Sequence, residues 1–383
     1  MRVHRSGAPY IGAALQLAIG RKRRQLNRAD RLYLDHAATT PVIAEARSAI
    51  ADALETWANP SSPHAEGREA RTILEKARRD IADVLGWRHD VIFTSGASEA
   101  VEIAARRARI EGRAYGASEH AIVPHAMGPN SKVITVQRNG LIDEDSLDSA
   151  LAEGPALVAI QQVNNETGVI QPLDHIVKRI REAGSLLLAD CAQSAGKMQL
   201  PDADFIAACA HKLGGPPGVG VLLVRDLATL EPVGGQEKGY RRGTQDAPAT
   251  AGFAAALTAH PYDMERLGAL RFGLDEAIAS AGGRIVAGES PRIATIGSYA
   301  MPSVASSSQL VQFDLVGIAI SAGSACSSGS MKPSVVLEAM GLPDEIAGYF
   351  VRVSFGPNTN KADVDRFVTE WCRIRDRAAS RAA

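Results

Sequence analysis

Two ionisable residues sit where a folded chain seldom leaves them without a partner. An apolar run, 185–189, ends in Asp190, and a second, 203–210, leads into His211 and Lys212 before a glycine-rich stretch, 214–220. Lysine is rarely buried unpaired. Shielded from water, its amine gives up a proton more readily and becomes a good imine former. A lysine and an aspartate that both end strands fit pyridoxal 5′-phosphate, whose aldehyde condenses with the lysine and whose pyridine nitrogen pairs with the aspartate. A plain buried Asp–Lys ion pair fits the same two residues.

A phosphate-bearing cofactor needs further groups. Thr94-Ser95-Gly96-Ala97-Ser98-Glu99 reads as a strand end, a glycine turn and a helix start, whose backbone N–H groups suit a phosphate. His120 could cover the face of a ring or be simply hydrogen-bonded. Gln193, three residues past Asp190, could reach the cofactor's phenolic oxygen. Arg352, within Val351-Arg352-Val353-Ser354, sits mid-strand, where it either pairs with a structural acid or clamps a carboxylate bidentately. Cys326 lies in a small, polar, glycine-bearing stretch, 321–330, unlike the apolar setting of an inert cysteine. It reads as an accessible nucleophile on a loop, with an incidental surface thiol as the alternative.

These residues need a frame. Apolar, β-rich runs at Val91–Thr94, Val133–Val136, Leu157–Val163, Ser185–Ala189, Phe205–Ala210 and Val219–Val224 alternate with helical patterns at Glu66–Leu85 and Ile176–Ala183. Asp145 and Ser146 are candidate caps for a helix reaching Ala152. Such alternation predicts an α/β fold with a mostly parallel sheet, whose ligands gather at the strands' carboxyl ends. After Pro261 a long helix, Asp263–Ala281, and shorter elements predict a second, smaller domain. Ser303–Ser308 reads as a polar loop. The expected division is a basic extension over 1–31, a large cofactor-binding domain over 32–260 whose first residues are free to pack with the small domain, and that small domain over 261–383, carrying Cys326.

Composition bounds the rest. The chain has 383 residues, 45% hydrophobic and 22% charged, with net charge −1. That balance gives no support for bulk nucleic-acid binding, and no apolar run reaches the roughly 20 residues that span a bilayer. The four cysteines, Cys191, Cys209, Cys326 and Cys372, lack metal-ligand spacing and suggest a reducing compartment, hence the cytoplasm. Cys191 reads as core packing. Residues 1–31 hold eight arginines and lysines against Asp30; the basic cluster follows the apolar stretch, the wrong order for a secretory signal. A floppy extension, or a start codon set too far upstream, is the preferred reading; a transit peptide, or a weak membrane or nucleic-acid contact, is the other.

Taken together, several runs resemble the cysteine desulfurases of the nitrogen-fixation and housekeeping iron–sulfur type, within the class V aminotransferase family. They are Leu34-Asp35-His36-Ala37-Ala38-Thr39-Thr40-Pro41, Asn59-Pro60-Ser61-Ser62, Thr94 to Glu99, Val163-Asn164-Asn165-Glu166-Thr167-Gly168, Asp190 to Gln193, His211-Lys212, Gly234-Gly235-Gln236-Glu237, Arg242-Gly243-Thr244 and Ser324-Ala325-Cys326. The resemblance implies a fold type I pyridoxal phosphate enzyme acting on L-cysteine. Lys212 would bind the cofactor and move a proton, Asp190 would hold the pyridine nitrogen, His120 would stack on the ring and Gln193 would meet the phenolic oxygen. Ala97, Ser98, Cys209 and His211 would hold the phosphate, with Thr244 entering from the other subunit of a homodimer. Asn165 and Arg352 would orient the substrate, and Cys326 would take its sulfur as a persulfide, yielding L-alanine. No resident metal is implied, beyond a transient iron–sulfur contact at Cys326. The acceptor would be a protein such as an iron–sulfur scaffold, with no nucleic acid or membrane involved.

Some positions depart from the pattern. Cys209 stands where a phosphate-binding serine is usual, and a thiol is the weaker donor, so a looser grip on phosphate is expected. Ser98 replaces the commoner threonine, and His36 an asparagine or tyrosine without an evident role. A selenocysteine lyase or another class V aminotransferase-type enzyme would survive loss of Cys326. An idle relative serving as a binding partner would lack cofactor absorbance, and the intact Asp190, Lys212 and His120 argue against it.

Overall fold

The computed structural model describes residues 30–323 and 334–382. Residues 1–29 of the basic extension, and 324–333 with Cys326, lie outside the described residues.

In chain order, β1 (Leu32–Tyr33) precedes helices α1 (Ala44–Leu54) and α2 (Ala65–Val84). Strands and helices then alternate: β2 (Asp90–Thr94), α3 (Ala97–Arg107), β3 (Gly112–Gly116), α4 (Ile122–Met127), β4 (Lys132–Ile134), α5 (Glu144–Leu151), β5 (Ala156–Ala159), α6 (Leu173–Glu182), β6 (Leu186–Asp190), β7 (Phe205–Cys209) and β8 (Gly220–Val224). Helices α7 (Ala247–Thr258) and α8 (Met264–Ser280) lead to β9 (Arg284–Ile285), β10 (Ile296–Ala300), α9 (Ser306–Leu315), β11 (Ile318–Ala319), α10 (Val335–Ala339), α11 (Asp344–Ala347), β12 (Phe350–Ser354) and α12 (Lys361–Ala382).

The main sheet has seven strands in the order β2-β8-β7-β6-β5-β3-β4. Only β8 runs against its neighbours; the other pairings are parallel. This is the expected α/β architecture. Its central strands are continuous apolar runs because both faces are covered. Leu187, Ala189, Ile206, Ala208, Val221 and Leu223 face one core, shared with Leu74 and Ile81 of α2, Ile176 and Ile180 of α6 and Phe253 of α7. The alternate residues Leu188, Phe205, Ala207, Leu222 and Val224 face the other, shared with Val101 and Ala104 of α3 and Met127 of α4.

A second, three-stranded sheet, β12-β10-β9, is antiparallel, and β1 pairs in parallel with β11. Phe313 of α9 stacks on Phe367 of α12, which also touches Trp371; all three belong to the same core as Leu187 and Ile206 of the main sheet.

Several sequence expectations need correction. β3 was not anticipated: Gly-Arg-Ala-Tyr-Gly has little β-branched character and earns its place by pairing with both β4 and β5. The cap of α5 is Asp143, whose carboxylate accepts from the Asp145 and Ser146 N–H groups; those two residues already lie inside the helix. Ser306 to Ser308 open α9 instead of belonging to a loop. Strand β7 stops at Cys209, so Lys212 stands in the turn beyond it.

Candidate active site

The parallel strands end on one side of the sheet, and their carboxyl ends open into a cavity of about 480 Å³. Asp190 is the last residue of β6, and β7 delivers Cys209 and then, through a tight turn, His211 and Lys212. The turn after β2 delivers Gly96, Ala97 and Ser98 at the start of α3. That helix has no side-chain cap, so its first N–H groups are free for a ligand. Ala97, Ser98, His120, Asn165, Asp190, Gln193, Cys209, His211, Lys212 and Arg352 all line this one cavity. A wider hollow of about 830 Å³, around Trp87, Asp202 and His260, holds none of them.

Two residues of the expected set are not there. Thr244 is exposed and does not line the cavity of its own chain. Cys326 is outside the described residues, although Gly323, the last residue described before it, lines the cavity.

The local geometry favours a site over an ion pair. Asp190 turns Oδ1 to the Ala192 N–H at 2.9 Å and, among the described residues, forms no ion pair with Lys212. The lysine loop is held from below: Thr40 N–H donates to the His211 carbonyl at 2.7 Å, and the Thr40 and Tyr262 hydroxyls both meet the Lys212 carbonyl. The Gln193 amide nitrogen donates to the Ala37 carbonyl at 2.9 Å, while its Oε1 is buried without a partner. Arg352, 4% exposed, donates from NH2 to Asp35 Oδ1 at 2.8 Å and from NH1 to the Asn165 carbonyl at 2.9 Å.

The electrostatics lean positive. Burial, then Lys212 and Lys197, pulls the His211 imidazole down to about 4. Burial is also the main cause of the lowered His120 value; Asp190 opposes the fall and Lys212 adds to it. Burial pushes the Cys209 thiol up, with smaller effects from Lys212 and Asp190, so it remains a neutral, weak donor on the cavity wall.

Four residues near the cavity escaped the sequence reading of roles. Asp35 holds Arg352. Glu119 is buried behind His120, accepts the Gln161 N–H at 2.7 Å, and is raised well above the usual carboxyl range, mainly by burial. Glu166 accepts from the Ser334 hydroxyl at 2.5 Å and is raised by burial. Lys197 lies 4.8 Å over the Tyr262 ring and has no acid partner among the described residues; burial first, and Lys212 second, lowers it to about 7. His36, left without a role, has its Nδ1 3.3 Å from the Thr40 hydroxyl.

Known proteins resemble this chain over most of its length. The class-V aminotransferase profile matches residues 32–367. A cysteine desulfurase of Bradyrhizobium diazoefficiens is 36% identical, the match covering 92% of this chain and 96% of that protein. The X-ray structure of a NifS-like protein from Rickettsia africae superposes with a TM-score of 0.83 at 29% identity, covering 90% of this chain and 99% of that one. The protein SspA, solved in complex with cysteine, superposes with a TM-score of 0.75 at 28% identity over 86% of this chain and 100% of its own. With the matched profile spanning all three sheets and the residues that line the cavity, the chain belongs to the class V aminotransferase family, in the group that contains the cysteine desulfurases.

Proposed function

We propose that this enzyme is a pyridoxal 5′-phosphate-dependent cysteine desulfurase that converts L-cysteine to L-alanine and leaves the sulfur as a persulfide on Cys326. The observation that carries the reading is the gathering of Lys212, Asp190, His120, Gln193, Ser98 and Arg352 in one cavity at the ends of the parallel strands. The residues fit the cofactor: the uncapped start of α3 and the Ser98 hydroxyl suit its phosphate, and the buried, unpartnered Gln193 Oε1 marks a polar position awaiting a group. SspA, the relative solved with cysteine, supports L-cysteine as the substrate.

When bound, the cofactor supplies an aldehyde that engages amino groups and a ring that holds an electron pair. Ala97, Ser98, Cys209 and His211 would hold its phosphate, joined by Thr244 of a second copy in a homodimer, and Asp190, His120 and Gln193 would hold its ring. Lys212 moves the proton at the substrate Cα, and His120, kept neutral by burial, is fit to accept one. Arg352 takes the substrate carboxylate, and Asn165 helps to orient the substrate. The Cys326 thiolate attacks the substrate sulfur; the carbon–sulfur bond breaks, and its electron pair and a proton go to the carbon that becomes the alanine methyl. The persulfide then passes to an acceptor thiol, such as one on an iron–sulfur scaffold protein. The site belongs to a cofactor domain over 32–260, closed by a smaller domain over 261–383, in a cytoplasmic enzyme. Among the described residues no helix is long and apolar enough to cross a membrane.

The test compares wild type with Cys326→Ala for sulfide and alanine release from L-cysteine with a thiol reductant, recording visible spectra alongside. Both proteins are expected to be yellow, and only the variant to lose nearly all turnover. Equal turnover would make Cys326 a bystander and pass the reading to a lyase or aminotransferase.

A further inference from the structure

We propose that Asp35 is a positioning residue for the substrate: it holds the Arg352 guanidinium as a fixed fork for the α-carboxylate of the incoming amino acid. This rests on the reading of the cavity as an amino-acid site.

Arg352 is the central residue of β12, and its charge is nearly enclosed. A buried guanidinium needs a counter-charge. Glu166 is nearby, but its carboxyl already accepts the Ser334 hydroxyl and is pushed towards the neutral form, chiefly by burial. Asp35 is the carboxylate that touches Arg352, at 2.8 Å, and its side chain keeps 21% of its surface in solvent.

The donors that remain define what the fork can take. Each terminal nitrogen of a guanidinium carries two N–H groups. One of NH2 goes to Asp35 and one of NH1 to the Asn165 carbonyl, while Nε is buried without a partner. One N–H is left on each terminal nitrogen, so a carboxylate can still meet two charged donors. An unrestrained arginine would lose its side-chain freedom on binding; this one has lost it on folding.

Asp35 itself cannot drift. Leu34 N–H donates to the Ala319 carbonyl at 2.8 Å, and Ser354 N–H donates to the Leu34 carbonyl at 2.8 Å. The Ala37 N–H donates to the Ser354 hydroxyl at 2.9 Å, and the Tyr33 hydroxyl donates to the Asp35 carbonyl at 3.0 Å. The residue is built into the backbone beside β12.

The experiment uses the cofactor-loaded enzyme and two variants, Asp35→Ala and Asp35→Asn. Turnover is compared on L-cysteine and on cysteamine, which has the same thiol and amine but no carboxylate. Calorimetry on the same samples reads the affinity for L-alanine. Losing one charge-assisted anchor should raise KM for L-cysteine and weaken L-alanine about tenfold in Asp35→Ala, with kcat and cysteamine turnover close to wild type. Asp35→Asn, which keeps an acceptor oxygen, should fall between, and it carries the test if the alanine variant does not fold. Equal losses on both substrates, a fall in kcat at constant KM, or no change at all would overturn the proposal. The calorimetric arm reads the fork even if wild type releases no sulfide, so failure of the functional reading is told apart from failure of this one.

Discussion

Lys197 is an amine without an acid partner among the described residues, held at about 7 by burial first and by Lys212 second. A lysine in an unfolded chain ionises near 10.4. Between those two values the unfolded chain binds a proton that the folded chain has lost, so stability rises with pH across that window. Below about 7 both states are charged, and the burial penalty is constant. Lys197→Met removes the titration while keeping the length. Urea denaturation at pH 7 and 9 should then show wild type gaining on the variant by up to about 1.4 kcal/mol per pH unit; parallel pH dependences would mean the amine stays hydrated. No local pattern announced this residue, because Tyr262 and the lysine loop that enclose it are distant in sequence. Glu119 was equally illegible: in Ser118-Glu119-His120 it reads as a solvated acid, and its burial comes from Gln161, 42 positions on. Asp190 and Lys212 were legible because charges that follow apolar runs contradict their surroundings within the sequence itself.

The elements that carry the site are locked to one another by close approaches. Gly356 follows β12, and a Cβ built there would overlap the His36 ring. His36 thus fills the space that the glycine leaves, next to the segment holding Asp35. Burial and Lys197 lower its imidazole to about 4, so it packs as a neutral ring, edge-on to Tyr33. Gly356→Ala should cost about 1–3 kcal/mol through overpacking, read as a lower urea midpoint, with partial recovery when His36→Ala is added. Additive losses in the double variant would mean that the two residues do not meet. At this scale the sheet was legible wherever a strand was covered on both faces, as in Leu-Leu-Leu-Ala-Asp of β6 and Gly-Val-Leu-Leu-Val of β8. β3 was hidden because its glycines and arginine carry no apolar period, and the ladder on either side decides its state. The start of α9 was misread for the opposite reason: serines favour loops locally, whereas two of the side chains near this end, Ser306 and Gln309, are buried.

At the level of the molecule, the role proposed for Thr244 requires a second copy of the chain. Its segment is clamped by Glu237, which accepts from Arg78 NH1 at 2.7 Å, the Phe93 N–H at 2.8 Å and Gln245 Nε2 at 2.7 Å. Glu237 and Lys238 adopt positive φ values of 51° and 56°, a strained turn that the clamp must hold. If Thr244 serves the partner's cavity in the proposed homodimer, a mixed dimer of Lys212→Ala and Thr244→Ala chains keeps one intact site, lysine from one chain and threonine from the other. Cofactor titration should find wild-type affinity at that site; the weakened affinity of the Thr244→Ala homodimer would show that the threonine acts within its own chain. The resemblance in Arg242-Gly243-Thr244 suggested such a role, but no sequence pattern says which copy a loop will meet. The Asp35–Arg352 pair has a consequence of another kind. Its partners lie 317 positions apart, and β1 has no strand beside it until β11 is made. Every strand of the sheet that carries Asp190 is therefore translated before β12, and Asp35, near the start of the chain, pairs with one of the last strands to be made. The turn that bears Lys212 is thus drawn from the middle of the chain and the Asp35–Arg352 pair from its two ends, so a shortened chain that lacks β12 would keep the lysine turn and lose the pair.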